Sequence, residues 1–406
     1  MTRLAYLVSQ YPTISHTFVL REIRGLREIG FEVVTASIRP PERPLAELTP
    51  IERDEAASTF YIARCGVQRF LAAHFATVCR RPGSYASGLA FALRLAGFDL
   101  RQAVLHLAYF AQAVVVGDWL RRQRLLHLHT HFSSTVALFV GRVFPVTVSS
   151  TIHGSDEFID PAGFHMLEKC RDSLFIRAIS NFGRSQLMRF SDPSDWDKYE
   201  VCPLGVDPVA FEPGLFRANP ECFEILTVGR LAPVKAIPVL LAAVGALVAE
   251  GRALRLRIAG GGALCDALKI EVAQRGLASH VSLEGPLNQE QIKRFYREAN
   301  AFVLASFAEG VPVVLMEAMA MEIPCVATWV TGVPELIRNE IDGLLVGPAD
   351  TEALTVALAR LMDDVDLRRR LGHSASQRIR ERYNLKTNID SLAAIFTRRL
   401  DRNVLK

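Results

Sequence analysis

The 406-residue chain reads as an α/β protein made of two tandem doubly wound domains. Three observations predict this. Short β-branched runs alternate with helix-length amphipathic stretches, the pattern of parallel sheets covered on both faces. The alternation comes as two series, parted by a Pro-punctuated stretch from Pro203 to Pro220 where extended and turn conformations are favoured over helix. Half of the residues are hydrophobic and the net charge is only +4, so the chain buries enough apolar surface to fold, and it is longer than the roughly 250–300 residues one core supports.

The first series of strands is Leu4–Val8, Phe31–Thr35, Leu126–Thr130, Val146–Ser150 and Leu174–Ile179. The second is Phe223–Gly229, Leu254–Gly260, His280–Gly285, Ala301–Ala305 and Pro324–Thr328. From Glu352 the chain reads as helix almost to its end. The expected domains are residues 1–205 and 206–385, with 386–406 a terminal helix packing back on the first domain. Tandem doubly wound domains would set the C-terminal ends of both sheets around a central cleft, where such folds bind ligands.

A dedicated nucleic-acid binder would be more basic than pI 8.7. The seven cysteines are scattered, with no Cys-x-x-Cys pair, so neither a disulfide framework nor a zinc site is indicated and a reducing compartment fits. Met1–Ser9 runs into a strand-like segment without the apolar length or cleavage site of a signal peptide. The longest apolar stretch, Ala103–Val116, falls short of the ~20 residues that span a bilayer. The expected location is cytoplasmic, with no transmembrane helix.

The strongest chemical signal follows the fourth strand of the second series. Glu309 and Glu317 lie eight residues apart, on either side of a Gly310-Val311-Pro312 loop and the start of a helix, Val313–Ala320, that is otherwise uncharged. A helix N-terminus carries free N–H groups and partial positive charge suited to a diphosphate. Carboxylates in the loop and two turns into the helix can accept hydrogen bonds from hydroxyls at opposite ends of one elongated ligand. At the end of the first strand of this series, Val228-Gly229-Arg230-Leu-Ala-Pro-Val-Lys235 sets two cations where a diphosphate would lie, Arg through its bidentate fork and Lys as a point charge. Gly260-Gly261-Gly262 follows the next strand and lets a ligand approach the backbone; it is not the Gly-x-Gly-x-x-Gly of a dinucleotide fold.

In the first series His127, His129 and His131 alternate, as strand residues on one face do. Metal ligands could alternate so, but no acidic or Cys partner is spaced to complete a site, and strand-end histidines beside a cleft are the expectation. Asp195-Trp-Asp197 spells an Asp-x-Asp metal motif, yet lies in a polar turn with no apolar strand before it. No metal site is expected.

These motifs give the chain a resemblance to the family-4 retaining glycosyltransferases of GT-B fold, which is two Rossmann-like domains, and within them to the bacterial exopolysaccharide, colanic-acid-type branch. The family's Glu-x7-Glu is met by Glu309 and Glu317, its Gly-Arg-Leu…Lys by Gly229, Arg230, Leu231 and Lys235, and its Gly-Val-Pro-Glu by Gly332–Glu335. Tyr11-Pro-Thr-Ile-Ser-His-Thr-Phe…Arg-Glu, His129-Thr-His-Phe, Thr151-Ile-His-Gly-Ser-Asp, Ile179-Ser-Asn and Leu204-Gly-Val-Asp match further landmarks in order. The resemblance spans nearly the whole chain. It departs at Ser9-Gln10, where many relatives have Gly-Gly, at Ala236 after the lysine, where Gly is usual, and at Thr331, in place of a first Gly before Val-Pro-Glu.

The resemblance implies a nucleoside-diphosphate sugar, UDP- or GDP-linked, as donor, no required cofactor, and a glycan or lipid-linked acceptor. Arg230 and Lys235 would bind the diphosphate and stabilise the leaving group, Glu317 would accept the ribose hydroxyls, Glu309 would hold the donor sugar, and His153 would lie beside the anomeric centre. Gly229, Gly260, Gly261, Gly310, Val311, Pro312 and Val313 would complete the donor site; Ser15, His16, His131 and Asp156 would lie on the acceptor side. A nucleotide-sugar 2-epimerase of the same fold, or a non-catalytic nucleotide-sugar-binding scaffold, are the alternative readings.

The charge is unevenly spread. Residues 64–142 carry ten Arg against Asp99 and Asp118, a net of +8 interleaved with aromatic residues. Such helices suit the face of an anionic membrane as well as they suit a solvated basic surface.

Overall fold

The computed structural model describes residues 2–13 and 16–404, the side chains of 155, 156 and 402–404 excepted. The chain divides into two compact units. Unit 1 comprises Met1–Ile179, Gly183–Cys202 and Ile389–Lys406; unit 2 comprises Ser180–Phe182 and Pro203–Asn388.

Unit 1 is built on strands β1 (Arg3–Gln10), β2 (Glu32–Arg39), β3 (Phe60–Tyr61), β4 (His127–His131), β5 (Thr147–Ile152), β6 (Phe175–Ala178) and β7 (Tyr199–Val201). They form a parallel sheet in the order β3-β2-β1-β4-β5-β6-β7. Leu4–Val8 are fully buried, as expected of a strand with helices on both faces. Since β1 pairs with β2 on one side and β4 on the other, the strand order reverses there, which is the position at which doubly wound sheets bind ligands. The register sets Tyr6 beside His129, Val8 beside His131, and His131 beside Thr151.

The Leu100–Gln123 helix starts at Asp99, whose side chain accepts from the backbone N–H of Arg101 and Gln102. Phe110 and the run Ala113–Leu120, which includes Val114, Val116 and Trp119, are buried. With 24 residues it exceeds the apolar stretch expected from sequence, and it is long and apolar enough to cross a membrane by length and composition, though 56% of its most apolar window is buried inside the protein. The last helix, Leu385–Val404, lays Phe396 against the sheet, with ring centroids 5.1 Å from His129 and 5.5 Å from Phe175. Gly25 makes room for it: a Cβ there would stand 2.2 Å from Ile389 Cδ1.

Unit 2 carries β8 (Phe223–Val228), β9 (Leu254–Ala259), β10 (Val281–Gly285), β11 (Ala301–Leu304), β12 (Cys325–Thr328) and β13 (Leu344–Val346), parallel in the order β10-β9-β8-β11-β12-β13. The Ile237–Ala249 helix packs Leu240, Leu241, Val244 and Leu247 onto Ile225, Leu256 and Val303 of the sheet. Here the order reverses at β8, between β9 and β11.

Strands β3, β7 and β13 lie outside the two predicted series, because they are edge strands of two or three residues, too short to show alternation. The C-terminal helical stretch is three helices, not one. They break at Asp364, whose carboxylate caps the Val365–Arg382 helix through Leu367 N–H, and at Tyr383–Asn384, where the backbone instead bridges to Val206. Gly205 allows that bridge, since a Cβ on it would come within 2.7 Å of Leu385 Cα.

Candidate functional site

In unit 2 the candidate residues gather beyond the C-terminal ends of β8, β9 and β11. The loop Gly229–Leu231 is stitched to the glycine run after β9: Gly229 N–H donates to Ala259 O at 3.0 Å and Leu231 N–H to Gly261 O at 2.8 Å. Gly260 and Gly262 have φ of +147° and +154°, a region L side chains rarely adopt. A Cβ on Gly260 would lie 1.8 Å from Gly229 O, and one on Gly262 2.4 Å from Leu231 O. The close approach these glycines permit is therefore taken up by the chain's own Gly229–Leu231 backbone.

Arg230 is exposed, and its side chain has no partner among the described residues. Lys235, on the Pro233–Lys235 turn, sets its Nζ 2.6 Å from Glu309 Oε1. The same oxygen accepts from Ser306 Oγ at 2.5 Å. Glu309 N–H donates to Thr331 Oγ1 at 3.0 Å, and the Thr331 hydroxyl donates to Glu309 O. Glu309 is thus buried and held at backbone and side chain.

Two of the three departures from the family pattern share a physical feature. Ala236 and Thr331 have φ of +48° and +45°, so both stand in the left-handed region where glycine is the unstrained residue. At Thr331 the hydroxyl offsets the strain by clasping Glu309; Ala236 has no such polar group.

The Val313–Ala320 helix begins at Pro312, with no side-chain cap. The N–H groups of Leu315 and Met316 turn back to Pro312 O, and those of Val313 and Val314 precede the helical ladder and have no partner among the described residues, which suits them to an anion. Val311 and Pro312 are buried, and the loop is fixed by Gly332, where a Cβ would meet Gly310 O at 2.2 Å. Glu317 is buried in the second turn and accepts from Tyr296 Oη at 3.3 Å. Glu335, the last residue of Gly-Val-Pro-Glu, accepts from the N–H groups of Asn181 and Phe182 at 2.8 and 2.6 Å, tying Ser180–Phe182 into unit 2.

In unit 1 the structure assembles a polar line that the sequence did not reveal. Glu22, from the Thr17–Glu28 helix, meets Arg177 of β6 through Oε2. Its Oε1 lies 2.8 Å from Tyr6 Oη and 3.1 Å from His131 Nε2. His131 Nδ1 is 2.9 Å from His153 Nε2. Phe132 stacks between His153 and His16, with centroids 4.4 and 4.2 Å away. Burial raises the Glu22 carboxyl, but the Arg177 guanidinium and His131 outweigh it and hold the carboxyl well below its ordinary value. Burial, then neighbouring His131 and Arg177, holds His153 well below the ordinary histidine value, so its ring is neutral.

His127, His129 and His131 are all buried rather than standing at the strand's end. His127 bonds to Thr147 and Ser149 hydroxyls, and His129 to Ser149 and Thr151. No acidic residue is spaced along the chain to join them, yet the fold brings one in: ligand atoms of Glu22, His129 and His131 lie within 4.8 Å of one another. Arg177 already balances Glu22 there, and both His129 nitrogens face hydroxyls. Glu22 belongs to the quoted Arg-Glu landmark, but its distance of 109 residues from His131 left no spacing signal. Ser15 and the Asp156 side chain lie outside the described residues. Asp195 is buried and paired with Lys198 at 2.6 Å, while Asp197 is exposed.

Residues 216–378 match the family model described as glycosyl transferases group 1. The amylovoran biosynthesis glycosyltransferase AmsK of Erwinia amylovora is 28% identical over 391 residues, covering 88% of this chain and 90% of that protein. Among solved structures, sucrose-phosphate synthase of Thermosynechococcus elongatus superposes with a TM-score of 0.78 at 19% identity, covering 99% of this chain and 100% of that one. HepE of Anabaena, solved in complex with UDP and glucose, gives 0.74 at 12% identity, covering 98% of this chain and 100% of that one. The chain is a glycosyltransferase of GT-B fold whose residues 216–378 form a group 1 glycosyl transferases domain.

Proposed function

We propose that the protein transfers a sugar, with retention and without a metal ion, from a nucleoside-diphosphate sugar to a glycan or lipid-linked acceptor in bacterial exopolysaccharide synthesis. The observation that carries the reading is the grouping in unit 2 of Lys235, Glu309 and the uncapped start of the Val313–Ala320 helix. As the nucleoside diphosphate departs, charge grows on its oxygens. Lys235, held by Glu309, and the helix N–H groups are fixed donors for that charge and need no reorganisation as it develops, and the exposed Arg230 adds a second cation. Two protein cations can serve where other transferases use a divalent ion. Glu309 accepts from sugar hydroxyls and Glu317 from the ribose; transfer on the front face needs no covalent nucleophile. Similarity to the amylovoran enzyme supports the exopolysaccharide assignment.

The test is a panel of UDP- and GDP-sugars with lipid-linked acceptors, the products read by mass spectrometry and the new anomeric centre by NMR, in excess chelator. A product of retained configuration is expected. An inverted product, or turnover that only manganese restores, would overturn the mechanism. Sugar interconversion without acceptor would favour the epimerase, and binding without turnover the scaffold.

A peripheral contact with anionic membrane is favoured by one further observation. The Val67–Arg80 helix buries Ala73 and Thr77 but exposes Val67, Leu71, Phe75 and Val78, an outward apolar stripe at helical spacing. Phe98, Leu100 and Val104 are likewise exposed, and so are Arg80, Arg94 and Arg101 in the same stretch of chain. Apolar side chains inserted between arginines suit a headgroup layer better than water.

A further inference from the structure

We propose that Glu22 and His131 set the tautomer of His153, so that His153 offers an unprotonated Nδ1 to a hydroxyl of a sugar bound at unit 1. The identity of that hydroxyl's owner rests on the glycosyltransferase reading; the tautomer follows from hydrogen-bond direction together with the charge balance of the buried Glu22–Arg177 pair.

An ionised carboxylate only accepts. Glu22 takes Arg177 on Oε2, and Tyr6 and His131 Nε2 on Oε1, so the His131 proton is on Nε2. A charged His131 would add a second cation to a carboxylate that Arg177 already balances, with all three side chains buried; neutral His131 leaves the pair even. Its Nδ1 then carries a lone pair, and the 2.9 Å contact with His153 Nε2 is a hydrogen bond only if His153 donates. That leaves His153 Nδ1 as acceptor, and it has no hydrogen-bond partner among the described residues. The Phe132 stack, 19° from coplanar, and Phe18, at 5.0 Å, fix the ring plane. Turning the ring over would break the bond to His131. Glu22, Arg177 and His131 are on this account positioning residues: they touch no ligand and act through one imidazole.

Nitrogen-15 long-range NMR of the whole protein, with His153 assigned by its loss in His153→Gln, reads the tautomer directly. An Nε2-protonated ring at neutral pH is expected; an Nδ1-protonated or doubly protonated ring would overturn the proposal. Glu22→Gln reverses the line. The amide oxygen faces Arg177 and its N–H₂ faces His131, which must then accept at Nε2 and donate at Nδ1. His153 should switch to Nδ1–H, with kcat falling on the order of 10–100-fold, as when an outer partner of a functional histidine is lost, and KM little changed. Glu22→Asp, still acceptor-only, should keep the original tautomer. An unswitched ring in folded Glu22→Gln overturns the proposal, and if that variant does not fold the wild-type spectrum decides by itself. A switched ring with unchanged turnover supports the tautomer line and counts only against the meeting of His153 with sugar.

Discussion

Lys235 Nζ and Glu309 Oε1 lie 2.6 Å apart. The ammonium suited to a diphosphate and the carboxylate suited to a sugar therefore neutralise one another, and a bound diphosphate has to share Lys235 with Glu309. Glu309→Gln should raise the affinity for free nucleoside diphosphate, by about tenfold for a charged hydrogen bond of ~1.5 kcal/mol, while turnover of the sugar donor falls. Calorimetry and initial rates check both; weaker diphosphate binding would show that Glu309 does not compete.

Arg230 and Lys235 should separate in stability. Each Ala variant is expected to weaken diphosphate binding about 10- to 100-fold. Lys235→Ala also leaves the buried Glu309 without its cation and should lower the melting temperature. Arg230→Ala, at an exposed and unpaired position, should not. Unchanged diphosphate affinity in both variants would sink the donor-site assignment.

Ala236 at φ +48° should gain from the residue its relatives carry. Ala236→Gly is expected to stabilise the fold by about 0.5–1 kcal/mol, since it relieves left-handed strain at some entropic cost. Gly260→Ala should do the opposite and cost more than about 2 kcal/mol, because a Cβ 1.8 Å from Gly229 O forces the two loops apart. Thermal midpoints of both variants measure this, and a destabilised Ala236→Gly would refute the strain argument.

Acid should destabilise unit 1 well above the carboxylate range. Burial lowers the His127 pKa to about 3, against ~6.5 in an unfolded chain. The unfolded state then binds the extra proton, so stability is full above about pH 6.5 and falls as pH drops toward 3, by up to ~1.4 kcal/mol per pH unit. His129 and His153 are shifted in the same direction. Melting temperature followed from pH 7.5 to 4.5 should decline, less steeply in His127→Gln; a flat profile down to pH 5 would contradict it.

Flotation with vesicles tests the membrane contact. The protein should float with anionic and not with zwitterionic vesicles, and salt should release it. Phe75→Ser with Phe98→Ser, both exposed, should abolish flotation without changing the melting temperature. Equal flotation of this double variant would exclude the apolar stripe.

Much of the donor half was legible because its residues are local. Arg230 and Lys235 flank one turn, and Glu309 and Glu317 flank one loop and helix start, so spacing places them. Their pairing was not legible: Lys235 and Glu309 are 74 residues apart and meet only because β8 and β11 are neighbours in the sheet. The glycine run shows the same limit. Three successive glycines announce a close approach, but only the sheet says that the approaching backbone is Gly229–Leu231.

The sequence by itself determined the two-series α/β architecture, the bulk of each sheet and the residue types of the donor site, because hydrophobic period and turn chemistry act over a few residues. Tertiary structure alone decided what the alternating histidines do. β1, β4, β5 and β6 bring Tyr6, His131, Thr151 and Arg177 side by side, and the Thr17–Glu28 helix adds Glu22. Buried polar groups must find partners, and those partners lie up to 155 residues away, beyond anything that spacing along a chain can encode.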